Sequence, residues 1–278
     1  AILPSRFCMP ELPEVETTLR GLAPHLVGRR IHDMVLRNGR LRWPIPDELP
    51  ERLRDRRIGS LQRRAKYLLL QLDGGHLLLH LGMSGRFMLL EPPAVAPTAH
   101  DHYDLLLEGG ALLRYRDPRR FGCCLWLEGD PLTHPLLSRL GPEPLGEAFD
   151  GGHLHRSARG RTVAIKSLLM QSEVVVGIGN IYANEALHRA GIDPRRPAGT
   201  LSHADCERLV GQIRRLLEQA ITQGGTTLRD FLNSDGQAGY FGFALDVYGR
   251  TGQPCPRCGG QVASIRLNQC STFFCQEC

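Results

Sequence analysis

The chain has 278 residues, 42% hydrophobic and 23% charged, the balance of an ordinary globular protein with room for two modest cores. Its formal charge is +5, and no apolar run approaches the ~20 residues that a membrane-spanning helix needs. The opening AILPSRFC lacks the charged start, apolar middle and cleavage site of a secretory signal, so the cytoplasm is the expected compartment.

The first residues pose a chemical choice. RFCMPELPEVE puts a proline directly after Met9 and a carboxylate directly after the proline. If Met9 starts translation and is removed, Pro10 presents a free secondary amine; if residues 1–8 persist, the same nitrogen is an unreactive amide. A terminal amine has a reference pKa of roughly 8, so it is a more available nucleophile than lysine. It can attack an electrophilic carbon and form an iminium. Glu11 is close enough in sequence to supply the proton. The plainer account is a helix start, where proline and glutamate are favoured next to the positive end of the dipole. Residues 14–22 have helical spacing, and Pro24 and Gly28 are expected to end the helix.

Strands follow. IHDMVLRN, YLLLQL, HLLLHLGM, GRFMLL, YDLLLEGG, ALLRYR and CCLWLEG are short apolar runs broken by Gly, Asp and Pro, which predicts a mostly antiparallel β-sandwich over 10–140. DGGH at 73–76 and EGGA at 108–111 are hairpin-turn signals. A proline- and glycine-rich stretch then predicts a linker, placed at 141–160. The period turns helical in TVAIKSLLMQ, YANEALHRAG and HADCERLVGQIRRLLEQ, predicting a helical domain over 161–250 that ends in a glycine-rich loop.

The tail carries the strongest spacing signal. Among nine cysteines, Cys255, Cys258, Cys275 and Cys278 form two CxxC pairs with sixteen residues between them. In a chain without a secretory signal this pattern predicts one structural Zn2+ pinning a small hairpin at 251–278. A closed four-sulfur site folds a segment too small for its own core and leaves no position open for catalysis.

Arginine clusters at 29–30, 52–57, 63–66, 114–120 and 214–215 point to a polyanionic partner, although any one of them alone reads as a solvated face. GIGNIYANE, 177–185, leads glycines into a helix N-terminus, a phosphate-binding arrangement. DPRRFG, 117–122, sets two arginines beside a phenylalanine, and HLGMSG, 80–85, places a methionine on a tight turn. An apolar wedge with a bidentate arginine is equipment for opening a base stack.

PELPEVE, RRAKYLLL, HLGMSG, DPRRFG, VVVGIGNIYANE, GGTTLRDF and the four-cysteine tail, in this order from Pro10 to Cys278, closely resemble the formamidopyrimidine-DNA glycosylases. The resemblance implies an α+β chain: an N-terminal antiparallel β-sandwich, a helix-two-turns-helix domain and a zinc-finger β-hairpin. It implies a bifunctional DNA glycosylase/AP lyase acting on double-stranded DNA with an oxidised base opposite cytosine, followed by β- and δ-elimination. Leu12 stands where the related endonuclease VIII branch typically has glycine, which favours oxidised purines such as 8-oxoguanine and formamidopyrimidines.

Carried over by position, Pro10 would attack C1′, Glu11 would protonate the sugar, and Glu14 would support the site. Lys66, His80, Lys166, Asn180 and Tyr248 resemble the contacts that hold the phosphate backbone. Met83, Arg119 and Phe121 resemble the residues that fill the gap behind the extruded base, Arg119 reading the orphaned cytosine. Residues 234–240 would close over the damaged base. Three positions depart from the family: the extension at 1–9, Gln171 in place of aspartate, and Cys270 in place of a phosphate-gripping arginine at the finger tip. A thiol cannot supply a fixed bidentate charge. Nothing in the sequence asks for more than a monomer, in the cytoplasm with the nucleoid. The alternative is a catalytically silent relative that binds damaged DNA but lacks the free amine. A generic zinc-finger binder leaves PELPEVE and the wedge residues without a use.

Overall fold

A computed structural model describes residues 10–224 and 245–278. The extension at 1–9, the 234–240 loop and most of GGTTLRDF lie outside the described residues. The chain divides into two compact units, with the boundary between Ser138 and Arg139.

The first unit opens with helix α1 (Leu12–Leu26), capped at its N-terminus by Glu11 and carrying Pro24 in its last turn. The helix ends at Leu26, between Pro24 and Gly28, near which its end was expected, and includes Pro24 itself. In the last turn the missing N–H removes a single bond. Burial of Leu22 and Leu26 outweighs that loss.

Eight strands form one antiparallel sheet: β1 (Arg30–Leu36), β2 (Arg56–Arg64), β3 (Tyr67–Leu72), β4 (Gly75–His80), β5 (Arg86–Leu90), β6 (Asp101–Leu107), β7 (Leu112–Arg116) and β8 (Cys123–Leu127). A one-turn helix, α2 (Leu49–Leu53), lies between the first two. The sheet order is β5-β7-β6-β1-β2-β3-β4-β8. β1 and β2 pair only at Arg30↔Arg57 and Ile31↔Arg56, and there the sheet folds over on itself. Phe87, Tyr103, Leu105 and Tyr115 from one half pack in a single cluster with Leu68, Leu70, Leu77 and Leu79 from the other. The expected sandwich is therefore present, built from one continuous sheet.

Strand β2 has no counterpart among the predicted runs. Its sequence RRIGSLQRR reads as a charge cluster because its buried residues, Ile58 and Leu61, are three apart. A register shift between Ile58 and Ser60 puts both on the core face, as a bulge does. A similar shift between Ile31 and Asp33 aligns Ile31 and Met34 in β1.

The second unit is helical. It holds α3 (Gly151–Ala158), α4 (Ile165–Leu169), α5 (Asn180–Ala190) and α6 (His203–Gly224), followed by the hairpin β9 (Val262–Leu267) and β10 (Cys270–Cys275). Helix α3 lies within the stretch expected as linker, where Asp150 caps it by accepting from His153 N–H. Its Leu154 and Ala158, together with Phe149, belong to the core shared by α4, α5 and α6. No helix among the described residues is long and apolar enough to cross a membrane.

Candidate functional site

In the first unit, Pro10 is half-buried and immediately precedes the cap of α1. Glu11 is 1% exposed. Glu14 reaches back to accept from Glu11 N–H at 2.8 Å, and the two carboxylates form a reciprocal capping box. Three of the residues singled out in PELPEVE are thus held in one geometry by the start of one helix. Arg63, read from the sequence only as part of a basic cluster facing a polyanion, instead ties this helix to the next feature. Its Nε donates to Glu16 at 2.8 Å, and its Nη1 donates to Ala65 O at 2.9 Å.

Ala65 and Lys66 form the two-residue turn between β2 and β3, with Ala65 in the left-handed region at φ 54°. The register places Tyr67 opposite His80, with ring centroids 4.8 Å apart. Gly82 N–H donates to His80 Nδ1 at 2.9 Å, so the ring proton sits on Nε2. Burial, reinforced by the cations Lys66 and Arg42, lowers the His80 pKa to about 4 against the opposing pull of Asp117. At neutral pH this histidine is an uncharged donor, set among cations.

Met83 and the pair Arg119–Phe121 occupy adjoining turns. A Cβ on Gly82 would lie 2.5 Å from Gly122 N and from Phe121 C, so only glycine allows the two turns to approach this closely. The Arg119 guanidinium lies 5.2 Å from the centre of the Phe121 ring, and Phe121 is 40% exposed. A cation and an apolar ring are therefore presented to solvent side by side.

In the second unit, Lys166 is 2% exposed, and its Nζ donates to Ser271 O at 2.9 Å and Thr272 Oγ1 at 2.7 Å. Expected as a phosphate and backbone contact, it is buried against the turn end of the finger hairpin. Asn180 is the first residue of α5, behind Gly179. One turn further on, Asn184 Oδ1 accepts from Phe273 N–H at 2.8 Å and fastens β10 to the helix. Glu185, fully buried, accepts the backbone N–H groups of Asp246, Val247 and Tyr248 at 2.8–2.9 Å. Burial raises the Glu185 pKa, against the three N–H bonds that favour its charge. The Tyr248 ring then packs edge-on to Phe273 at 4.9 Å. Cys270 begins β10 immediately after a two-residue turn, Asn268–Gln269, both at positive φ.

Cys255, Cys258, Cys275 and Cys278 have all their sulfurs within 4.8 Å of one another, the shortest separations being 3.4–3.6 Å. Tetrahedral zinc with Zn–S of about 2.3 Å sets sulfurs about 3.8 Å apart, so the donor set fits one structural zinc. The first CxxC loop is already a knuckle, with Arg257 N–H donating to Cys255 Sγ at 3.4 Å and Gly259 N–H to Cys255 O at 2.9 Å.

Comparison with known proteins matches the order of these features. Residues 9–124 match the formamidopyrimidine-DNA glycosylase N-terminal domain, 140–232 the formamidopyrimidine-DNA glycosylase H2TH domain, and 252–278 the zinc finger found in FPG and IleRS. The formamidopyrimidine-DNA glycosylase of Methylococcus capsulatus is 56% identical over 270 residues, spanning 97% of this chain and 99% of that protein. The chain belongs to the formamidopyrimidine-DNA glycosylase family. Another relative carrying that name, from Alkalilimnicola ehrlichii, is 54% identical over 275 residues, with 97% and 99% of the two chains covered. Among solved structures, Lactococcus lactis Fpg in complex with DNA containing N7-benzyl-Fapy-dG superposes with a TM-score of 0.86 at 33% identity, covering 97% of this chain and 99% of that one. The Thermus thermophilus MutM (Fpg) protein gives 0.82 at 40% identity, covering 97% and 98%.

The chain holds its candidate residues in two groups. Pro10, Glu11, Glu14, Lys66, His80, Met83, Arg119 and Phe121 belong to the sandwich unit, and Lys166, Asn180, Tyr248, Cys270 and the four sulfurs to the helical unit. Sequence reasoning passed over Asp117, Asn184 and Glu185, each 0–1% exposed. The signal available was a carboxylate or amide inside an otherwise apolar or glycine-rich motif, a position that demands partners.

Proposed function

We propose that this base-excision glycosylase removes oxidised purines, 8-oxoguanine and formamidopyrimidines, from duplex DNA opposite cytosine and then cuts the strand, with Pro10 as nucleophile. The observation that carries the reading is the capping box, which places Pro10 next to a buried Glu11 held by Glu14. The Pro10 amine attacks C1′ of the damaged nucleotide, and the bond from C1′ to the base breaks with its electron pair leaving on the base. The amine's proton passes to the departing base, Glu11 gives a proton to the ring oxygen of the sugar, the C1′–O bond opens, and the nitrogen lone pair so freed closes an iminium. Loss of a C2′ proton expels the 3′ phosphate, and a second elimination expels the 5′ phosphate, leaving a one-nucleoside gap.

Lys66 and the Nε2–H of His80 serve as backbone contacts, and Asn180 and Tyr248 continue that grip from the helical unit. Lys166 acts through the finger, whose β10 backbone it holds. Leu12 and the formamidopyrimidine-containing DNA bound by the Lactococcus lactis relative support a preference for purine lesions. Zinc would be held by the four cysteines to shape the finger, with no part in the chemistry. The enzyme works as a monomer in the cytoplasm, on nucleoid DNA.

Borohydride trapping tests this reading. A chain whose first residue is Pro10 should form a covalent adduct with an 8-oxoguanine:cytosine duplex, and Pro10→Gly should lose most of it. Absence of any adduct from the Pro10-started chain, or full trapping by a chain that retains residues 1–8, would remove Pro10 as the nucleophile.

A further inference from the structure

The three side chains assigned to the gap behind the extruded base stand on separate turns, Met83 on one and Arg119 and Phe121 on the other. One buried carboxylate joins them. Asp117 is 0% exposed. Its Oδ1 accepts from Ser84 Oγ at 2.6 Å and from Arg119 N–H at 3.2 Å, and its Oδ2 accepts from Gly122 N–H at 2.9 Å and Tyr115 O–H at 3.2 Å. Ser84 Oγ in turn accepts from Arg119 N–H at 3.2 Å. The Asp117 backbone oxygen lies 2.7 Å from His102 Nε2, which anchors the hub to strand β6.

A carboxylate offers about four acceptor sites, and here four donors from three segments of chain use them. An amide in its place would turn one oxygen into an NH2 that faces donors. The glycines complete the frame: a Cβ on Gly122 would collide with the Tyr115 hydroxyl, and one on Gly82 would meet the Phe121 backbone. Neither turn can shift without the other.

We propose that Ser84 and Asp117 are positioning residues that preassemble Met83, Arg119 and Phe121 into one rigid wedge, so that extruding the damaged base and reading its orphaned partner are a single event. The proposal rests on the glycosylase reading given above. A wedge ordered in advance does not have to be immobilised as the base stack opens. Its contribution belongs to the step that separates an intact pair, and it has little to add where the base is already missing.

That asymmetry separates the proposal from a purely structural role for the network. The test measures single-turnover rates on two duplexes, one with 8-oxoguanine opposite cytosine and one with a preformed abasic site. Ser84→Ala removes a hydroxyl from a half-buried residue, and Ser84→Thr keeps it. Ser84→Ala should slow excision of 8-oxoguanine roughly ten- to hundredfold and narrow the discrimination between cytosine and adenine opposite the lesion. It should lose far less on the abasic duplex, and Ser84→Thr should recover most of the excision rate. Asp117→Asn, with its folding checked by thermal melting, should shift the same ratio further. Equal losses on both duplexes, a larger loss on the abasic one, or no loss on either would overturn the wedge proposal. A chain that starts at Pro10, is otherwise unaltered and is inactive on both duplexes would instead overturn the glycosylase reading.

Discussion

Lys166 Nζ stands 2.7 Å from Thr272 Oγ1 and 2.9 Å from Ser271 O, so a buried cation on a one-turn helix holds the second strand of the finger hairpin. Lys166→Met keeps most of the volume and leaves the buried Thr272 hydroxyl and the partly buried Ser271 carbonyl to find other partners. Each unsatisfied group costs about 1–3 kcal/mol, and zinc should be lost to a chelator faster than from the wild type. Chelator-driven zinc release, followed with a colorimetric indicator, measures this. An unchanged release rate would mean that the four sulfurs hold the finger by themselves.

His80 gives the sandwich unit an acid limit. Its folded pKa is about 4, lowered by burial and then by Lys66 and Arg42, against an ordinary value of 6.5. Between those values the unfolded chain binds more protons than the folded one, so stability rises with pH across the window. The contribution is complete above pH 6.5 and is lost as pH falls towards 4, to an extent on the order of 3 kcal/mol. Urea denaturation of wild type and His80→Gln at closely spaced pH values tests it. The variant should show a shallower slope between pH 6.5 and 4, and parallel curves would refute the assignment.

Cys270 begins β10, directly after the turn at the tip of the hairpin, at the position where the sequence resemblance leads to the expectation of an arginine. The hairpin itself is built: six register pairs from Cys270↔Leu267 to Cys275↔Val262, with Asn268 Nδ2 donating to Ser167 Oγ at 2.9 Å. Cys270→Arg should therefore tighten binding to a duplex carrying a reduced abasic-site analogue by about 1–3 kcal/mol, and steepen the salt dependence by about one phosphate contact. Binding isotherms at several salt concentrations give both quantities. A gain that does not depend on salt would show that the new side chain acts by packing and not by charge.

Much of this architecture can be read from particular residues. The zinc site follows from cysteine spacing, and β3 coincides with the run YLLLQL. The hairpin glycines fall in turns, Gly74, Gly109 and Gly110 all having positive φ. What could not be read has a common cause. Ile58 and Leu61 share a face only because β2 carries a register shift, and a shift depends on the partner strand. Asp117 and Glu185 accept from backbone N–H groups that no side-chain pattern announces. Lys166 reads as a surface cation because its acceptors lie over a hundred positions further along the chain.

The doubling-over of the sheet at β1 and β2 also bears on the order in which the molecule comes together. β2, β3 and β4 follow one another through two-residue turns, so their contacts close short loops. β1 must wait for β6, and β4 for β8, across long intervening stretches of chain. Loop closure grows costlier with length and non-local pairing slows assembly, so the three-strand meander is expected to form before β1 joins β6 and β4 joins β8. Pulse-labelled hydrogen exchange should find the amides of Leu69 and Leu78 protected before that of Val35. Simultaneous protection would assign the whole sheet to one step. The turn that presents Lys66 would then be among the first parts of the molecule to take shape, ahead of the strands that complete the sandwich.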